Sequence, residues 1–460
     1  MTTREIIVDN FAGGGGASTG IALAIGRSVD IAVNHDAAAI QMHRRNHPDT
    51  KHYIEDVLAV DPIKACEGRR VGLAWFSPDC THHSKARGGK PREQKIRGLA
   101  IKWASLVKPR VIMLENVTEF QTWGPLLKDM TPDPKRKGET FNSFVNALKH
   151  FGYKVEWREL RACDYGAPTI RKRLFLIARC DGRRIVWPEP SHAAANDIRV
   201  LCGDMEPWPV AADIIDWDIN CPSIFACKKP LADNTMKRIA KGLKKFVLDS
   251  PNPFIVKVNH GGDGIVQPFI TRQFGQSIGN GVDEPLGTIT AGGGGKSGVV
   301  ATFLTKYHGD RGAGDNARGQ RSDEPVRTVD TSNRFGLVSA FMAKHYGGLH
   351  IGEVRSFMIK YYGCSTGQPI DEPVHTITRK DKPGLVTIHG EAYAIVDVGM
   401  RMLEPHELFA AQGFPKDYKI DGMPKYEQVA KCGNSVSPVI PKALVEANLP
   451  EMCGMIKEVA

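Results

Sequence analysis

Over roughly the first 180 residues, short apolar, β-branched runs alternate with longer segments whose apolar positions recur at helical spacing. The runs "EIIVDNFA", "IAVNHD", "GLAWFSP", "VIMLENV" and "RLFLIARC" read as strands. Strands separated by helical segments of this length predict parallel strands joined by crossover helices, an α/β domain. Each run ends in a polar or glycine-containing turn, and in open parallel sheets ligands collect at such carboxyl ends.

Beyond "VWPEPSHAAAN" the periodicity weakens, with Pro, Trp and Asp punctuating the chain to about residue 250. A repeat then begins. "FIVKVNHG", "FITRQFG", "FLTKYHG", "FMAKHYG" and "FMIKYYG" open at Phe254, Phe269, Phe303, Phe341 and Phe357. "DEPLGTIT", "DEPVRTVD" and "DEPVHTIT" open at Asp283, Asp323 and Asp371, and "GVV", "GLV" and "GLV" follow them. Such recurrence predicts one small β unit used several times, paired strands closed by the DEP turn. The fourth residue of each opening block is a cation: Lys257, Arg272, Lys306, Lys344 and Lys360. Period two along a strand sets it on the face opposite the phenylalanine, so the copies are expected to present a positive row. Solvated lysines are the ordinary reading of any one of them; five in register, interleaved with Tyr, His and Phe, point to phosphates. The tracts "AGGGGKSG" and "GDRGAGDNARGQ" are too polar to pack and read as loops. After about residue 395, "GMRMLEPHELFAAQGFP" and "YEQVAKCGNSVSPVIPKALVEANL" regain helical character, as a return to the first domain would.

Composition narrows the classes. A chain of 460 residues with 42% hydrophobic content can bury one large core or two smaller ones. The start "MTTREIIVDN" lacks a signal peptide's apolar stretch and no apolar run reaches membrane-spanning length, so a cytoplasmic protein is expected. The ten cysteines are scattered, Cys221 and Cys227 being the tightest pair, against a zinc ribbon or a disulfide scaffold. An excess of 61 basic over 51 acidic residues, net +10, leans toward a polyanionic partner.

Candidate chemistry sits at the strand ends. The glycine run of "VDNFAGGGGASTG" lies between a strand and a helix, where backbone can approach a nucleotide-type cofactor closely. No Gly-Lys-Ser/Thr ending makes it a P-loop. "AVNHD" offers Asn34 or Asp36 to a ribose, and "YIEDV" offers Asp56 to an adenine-like edge. Cys80, in "FSPDCTHHSKARGG", has three readings: structural thiol, metal ligand with His82 and His83, or nucleophile. The cations that follow, among them Lys85, Arg87 and Lys90, favour thiolate and thus the nucleophile. Gly88 and Gly89 would let this basic stretch close as a loop over a bound polyanion. Glu115 emerges from apolar "VIML", so burial should raise its pKa into a range useful for donating a proton. Arg171 and Arg173 of "YGAPTIRKRLFLIA" share one face of an extended segment.

Taken in order, "DNFAGGGGASTG", "SPDCTHHS", "ENV", "TIRKR", "RMLEPHELFAAQGFP" and "KCGNSV" resemble the motifs of the DNA (cytosine-5) methyltransferase family, in a form similar to bacteriophage and prophage members. The resemblance covers residues 1 to 180 and 395 to 440. It implies a Rossmann-like, S-adenosylmethionine-dependent methyltransferase domain (1–190 and 395–460) interrupted by a smaller, mostly β target-recognition domain (191–394) that holds the repeats. It implies that Phe11, Ala12, Gly13 and Gly16 form the cofactor loop, with Asn34 at the ribose, Asp56 at the adenine, and Asn434 and Ser435 at the methionine end. Cys80 becomes the nucleophile, Glu115 the group bonding the cytosine's ring nitrogen and amino group, and Arg171 and Arg173 the orienting cations. DNA contacts are expected from Ser84, Lys85, Arg87, Lys90, Arg272, Lys306, Lys344 and Lys360.

The chain departs from the family pattern in three places. Asp79 stands where proline usually precedes the catalytic cysteine, Asn34 replaces an acid, and Thr169 replaces a glutamine. None removes a reactive group, so an active monomeric enzyme on double-stranded DNA is expected, with no metal and no membrane, in a bacterial or phage-infected cytoplasm. The rivals are a catalytically silent DNA-binding homologue and a methyltransferase of RNA.

Overall fold

The computed structural model describes residues 4–78, 98–127, 131–217, 219, 221–226, 229–243 and 398–453, and between Val256 and Asp397 the backbone of individual strands only. The chain divides into two compact units, 1–208 with 412–460, and 209–411.

The first unit is built on a seven-stranded sheet: β1 (Ile6–Asn10), β2 (Ile31–Val33), β3 (Lys51–Tyr53), β4 (Val71–Phe76), β5 (Val111–Asn116), β6 (Lys154–Arg161) and β7 (Lys172–Arg179). Their order is β3-β2-β1-β4-β5-β7-β6. Pairs among β1 to β5 are parallel, while β7 runs antiparallel between β5 and β6. This is the Rossmann-like α/β fold of S-adenosylmethionine-dependent methyltransferases. Helices α1 (Gly16–Ile25), α2 (Ala37–Asn46), α3 (Pro62–Cys66), α4 (Gly98–Leu106) and α5 (Glu139–His150) make the connections. The helices Lys425–Asn434 and Val439–Asn448 return from the far end of the chain.

Alternation along the strands feeds two cores. Ile6 and Val8 of β1, Phe76 of β4 and Leu114 of β5 pack with Trp103 of α4 and with Phe141, Phe144, Val145 and Leu148, the buried stripe of α5. Ile7, Trp75 and Met113 point the other way, against Ile21 of α1 and Ile440 and Leu444 of the helix Val439–Asn448. Covering on both faces is why these strands read as unbroken apolar runs. The two strands not anticipated from sequence are the sheet edges. β3 has three residues, and β6, "KVEWRELR", carries charges on its exposed positions, which hide a strand from an apolar pattern and blunt an open edge.

Strand order reverses between β1 and β4, and Asn10 pairs with Phe76 at their carboxyl ends. The glycine tract and the segment leading to Cys80 therefore leave the sheet side by side at its topological switch point.

The second unit is mostly β. Ile265–Arg272, Phe335–Lys344 and Glu391–Met402 are long antiparallel members of one sheet. Gly336–Val338 and Phe341–Lys344 lie on one strand, so the closing block of one copy and the opening block of the next are continuous, a different division from paired strands within a copy. Gly279 with Gly319 and Ala291 with Thr331 pair in parallel, each forty positions apart, the spacing of Asp283 and Asp323. The DEP segments, Phe254, Phe303, Phe357 and the glycine runs 292–296 and 309–317 lie outside the described residues. Arg272 pairs with Phe335, the first residue of the strand that ends at Lys344. Antiparallel pairing thus separates these two cations by the strand's length, roughly 30 Å, and not in one row as the sequence period implied.

A buried ion pair braces this unit. Arg401 Nη2 stands 2.8 Å from Glu407 Oε1, and the Glu407 carboxylate also accepts the Asp216 and Glu404 amides. Among the described residues no helix is long and apolar enough to cross a membrane.

Candidate functional site

The switch point is floored by an aromatic recess lined by Phe11, Phe76, Pro78, Leu114, Phe120 and Trp123. Phe11 takes a positive φ of 68°, and its amide and that of Ala12 both donate to the Val33 carbonyl, at 2.9 and 3.1 Å. The loop is thereby anchored to β2 as it leaves β1.

The glycines of that loop face the chain's own C-terminal segment. A Cβ on Gly14 would stand 2.3 Å from Ser435 Oγ, one on Gly15 2.2 Å from Tyr418 Oη, and one on Gly16 1.9 Å from the Val436 carbonyl oxygen. Gly13 alone in the tract has room, 3.6 Å to its nearest neighbour, the Phe11 carbonyl oxygen. The sequence suggested that these glycines admit a ligand, but three of the four admit residues 418–436. Only the tertiary fold brings that segment here.

Asn34 is buried at the end of β2, where its Oδ1 accepts the Asp36 amide at 2.9 Å and leaves the side-chain NH2 to donate. Asp36 is committed elsewhere. It caps α2 by accepting from Ala38 and Ala39, and it bonds Lys431, which holds its carboxyl below the usual carboxylate range in spite of burial. Asp56 is exposed after β3, with Oδ1 taking the Leu58 amide at 2.8 Å. Asn434 is exposed at the end of its helix, and the buried Ser435 donates to the Lys431 carbonyl at 2.8 Å, so its hydroxyl has only lone pairs to offer a ligand.

At the end of β5, Glu115 is 7% exposed, and Arg173 of β7 presents Nε 3.4 Å from its Oε1. Burial pushes the Glu115 pKa up, opposed by the fields of Arg173 and then Arg171. Arg171 is buried too, and its guanidinium donates to the Gly433 carbonyl at 3.1 Å, tying it to the "KCGNSV" segment. Thr169, the unusual residue in this motif, accepts the Arg171 amide through Oγ1 at 3.3 Å. Next to Glu115, Asn116 Nδ2 donates to the Pro78 carbonyl at 3.0 Å, which holds the start of the Cys80 segment against the end of β5.

Glu115, Arg171 and Arg173 are thus brought together, and Phe11, Ala12, Gly13, Gly16, Asn34, Asn434 and Ser435 gather around the glycine loop. Cys80, Ser84, Lys85, Arg87, Lys90, Lys306 and Lys360 lie outside the described residues, and Arg272 and Lys344 are described as backbone only. Sequence reasoning did not single out Asn116, Tyr418 or Lys431. Asn116 and Lys431 lie inside the quoted "ENV" and "KCGNSV", while Tyr418, like Lys431, acts across almost the whole chain length, for which no local pattern exists. Among the described residues no group of His, Cys, Asp and Glu is placed to hold a metal ion.

A Rossmann-like α/β sheet, with a glycine loop at its switch point and a buried carboxyl faced by arginines at the end of β5, defines the class of fold and site. The family described as C-5 cytosine-specific DNA methylase matches residues 6–201 and 319–448, and the chain belongs to that family. It is 29% identical over 208 residues to type II methyltransferase M.AgeI of Thalassovita gelatinovora, covering 43% of this chain and 44% of the relative. With type II methyltransferase M.NaeI of Lentzea aerocolonigenes it shares 30% identity over 193 residues, 41% of this chain and 43% of the relative. The chain thus spans less than half of each of these relatives. A crystallised DNMT2 variant of Spodoptera frugiperda superposes with a TM-score of 0.51 at 14% identity, over 96% of this chain and 99% of that one, a likeness of fold.

Proposed function

We propose that the chain is a DNA (cytosine-5)-methyltransferase that moves a methyl group from S-adenosylmethionine to carbon 5 of a cytosine flipped out of double-stranded DNA. The observation that carries this reading is Glu115, a carboxyl biased toward its protonated form by burial yet faced by two arginines. A group that must hydrogen-bond a ring nitrogen while charge develops in the ring needs that combination.

The residues fit the cofactor. Phe11, half-buried at the start of the loop, offers an aromatic face to a purine, and the side-chain NH2 of Asn34 can bond ribose hydroxyls. Asp56 can accept from an adenine amino group, while Ala12, Gly13 and Gly16 shape the loop and Asn434 and Ser435 flank the methionine end. When bound, S-adenosylmethionine supplies an electrophilic methyl group. The protein's part is to make carbon 5 nucleophilic. Cys80 adds as thiolate to carbon 6, Glu115 gives a hydrogen bond to ring nitrogen 3 as charge builds, and Arg171 and Arg173 orient the pyrimidine and its phosphodiester; once carbon 5 carries the methyl group, loss of its proton to solvent expels the Cys80 thiolate from carbon 6 and restores the ring. A stacked base cannot reach these groups, so it must leave the duplex at a cost of a few kcal/mol, which closure of the basic segment from Ser84 to Lys90 would offset. The unit 209–411, with Arg272, Lys306, Lys344 and Lys360, is read as the part that holds and recognises DNA.

Cys80→Ala should abolish methylation, read by bisulfite sequencing of DNA from cells expressing the protein, while cofactor and DNA binding persist. DNA carrying 5-fluorocytosine should trap a covalent complex with the natural chain and none with the variant, because fluorine cannot leave as a proton does. Substantial turnover by Cys80→Ala rejects the assignment.

A further inference from the structure

We propose that Tyr418 is a positioning residue of the cofactor loop, which it fixes through the hydrogen bond from its Oη to the Gly14 carbonyl. The inference rests on the reading of the glycine tract as a cofactor loop.

Tyr418 belongs to the C-terminal segment and follows "GFPKD". Its Oη donates to the Gly14 carbonyl oxygen at 2.7 Å. Its single hydrogen is used there, so any further bond at this oxygen is one it accepts. Burial pushes the Tyr418 pKa up, and the Thr19 hydroxyl beside it on α1 pulls it down, as a neighbouring donor does. Thr19 Oγ1 also stands 3.2 Å from His47 Nε2, and Ser28 Oγ 3.5 Å from His47 Nδ1.

The surroundings hold the phenol in this position. Phe414 tilts against its ring with centroids 4.6 Å apart, and the Tyr418 amide closes a turn onto the Pro415 carbonyl at 3.1 Å. Thr19 and His47 are both buried. On the loop side, Gly15 adopts a φ of 82° and its amide returns to the Ala12 carbonyl at 2.8 Å. The loop is a tight turn whose Gly14 peptide is clamped by the phenol, and no side chain at Gly15 could coexist with Oη. A peptide so held cannot flip, which preserves the direction of the backbone groups at Gly13 that a ligand would meet. Docking of the distant C-terminal segment thereby becomes a condition for the loop's shape.

The test uses the full chain, natural and Tyr418→Phe, titrated calorimetrically with S-adenosylmethionine, beside thermal midpoints and affinity for duplex DNA. Loss of one hydrogen bond to the loop should weaken S-adenosylmethionine binding about three- to tenfold. The KM for S-adenosylmethionine should rise by more than kcat falls, with DNA affinity within about twofold. Thr19→Val, which removes the hydroxyl beside the phenol, should weaken S-adenosylmethionine binding in the same direction, and Thr19→Ser should restore it; these variants decide the matter if Tyr418→Phe does not fold. Unchanged cofactor affinity in Tyr418→Phe and Thr19→Val overturns the inference. So does an equal loss of cofactor and DNA affinity, the mark of a general brace. A natural chain that fails to bind S-adenosylmethionine overturns the cofactor reading itself, and with it this inference.

Discussion

Arg173 holds its guanidinium Nε 3.4 Å from Glu115 Oε1, at a carboxyl whose pKa burial has raised. The two influences oppose each other: burial favours the proton, and the cation favours its loss. Replacing Arg173 by Gln removes only the second, so the Glu115 pKa should climb further. If protonated Glu115 is the working form, the alkaline limb governed by it in kcat/KM should move to higher pH even as the maximum falls. A limb that stays in place, or moves to lower pH, separates Arg173 from the acid.

Gly16→Ala should damage the fold far more than Gly13→Ala. The new Cβ at position 16 would stand 1.9 Å from the Val436 carbonyl oxygen, which cannot rotate away, whereas at position 13 the nearest atom is 3.6 Å distant. Gly13→Ala meets chiefly the strain of a left-handed φ, about 1–2 kcal/mol. Urea midpoints compare the two directly; equal losses reject the close approach of the C-terminal segment.

Stability should fall on acidification from about pH 6.5 toward 5. Burial, with their mutual repulsion, pushes His43 well below the usual histidine range and His47 down to about 4, and burial followed by the Arg44 charge pushes His52 down to about 4. In that window the unfolded chain binds these protons and the folded chain does not, so stability is present above about pH 6.5 and lost as pH falls. Asp9 acts oppositely, since burial raises its pKa to about 7 and the folded chain keeps a proton the unfolded chain has released. Glu115 and Asp164, raised by burial, act with Asp9, and His192, lowered by burial, acts with the cluster, so four histidines stand against three carboxyls and the cluster's own share is what a histidine variant isolates. His52→Gln should flatten the fall in urea midpoint between pH 7 and 5; an unaltered slope would exclude this cluster as its source.

Glu407→Ala should cost about 3–5 kcal/mol, because it strands Arg401 in a site where the two side chains are 6% and 0% exposed. Arg401→Met with Glu407→Leu removes both charges and should recover much of the loss. Denaturant unfolding of the single and double variants checks this, and a double variant no better than Glu407→Ala refutes it.

Much of the first unit was legible because its central strands are covered on both faces, so apolar runs mark them without ambiguity and chemistry-bearing residues stand at their ends. Glu115 and the pair Arg171 and Arg173 were found in this way. The edge strands β3 and β6 escaped because exposure lets them be short or charged. In the repeats, period two is a property of each strand alone, but strand direction is set by pairing partners, which is why Arg272 and Lys344 separate.

The residues by themselves determined the α/β class and the family, since periodicity and motif order are local properties that survive without contacts. The fold alone decided what the glycine tract faces, which residues oppose Glu115, and how Tyr418 reaches Gly14 across 404 positions. Those are contacts between segments remote in sequence, and a contact made at such separation leaves no periodicity by which either partner announces the other.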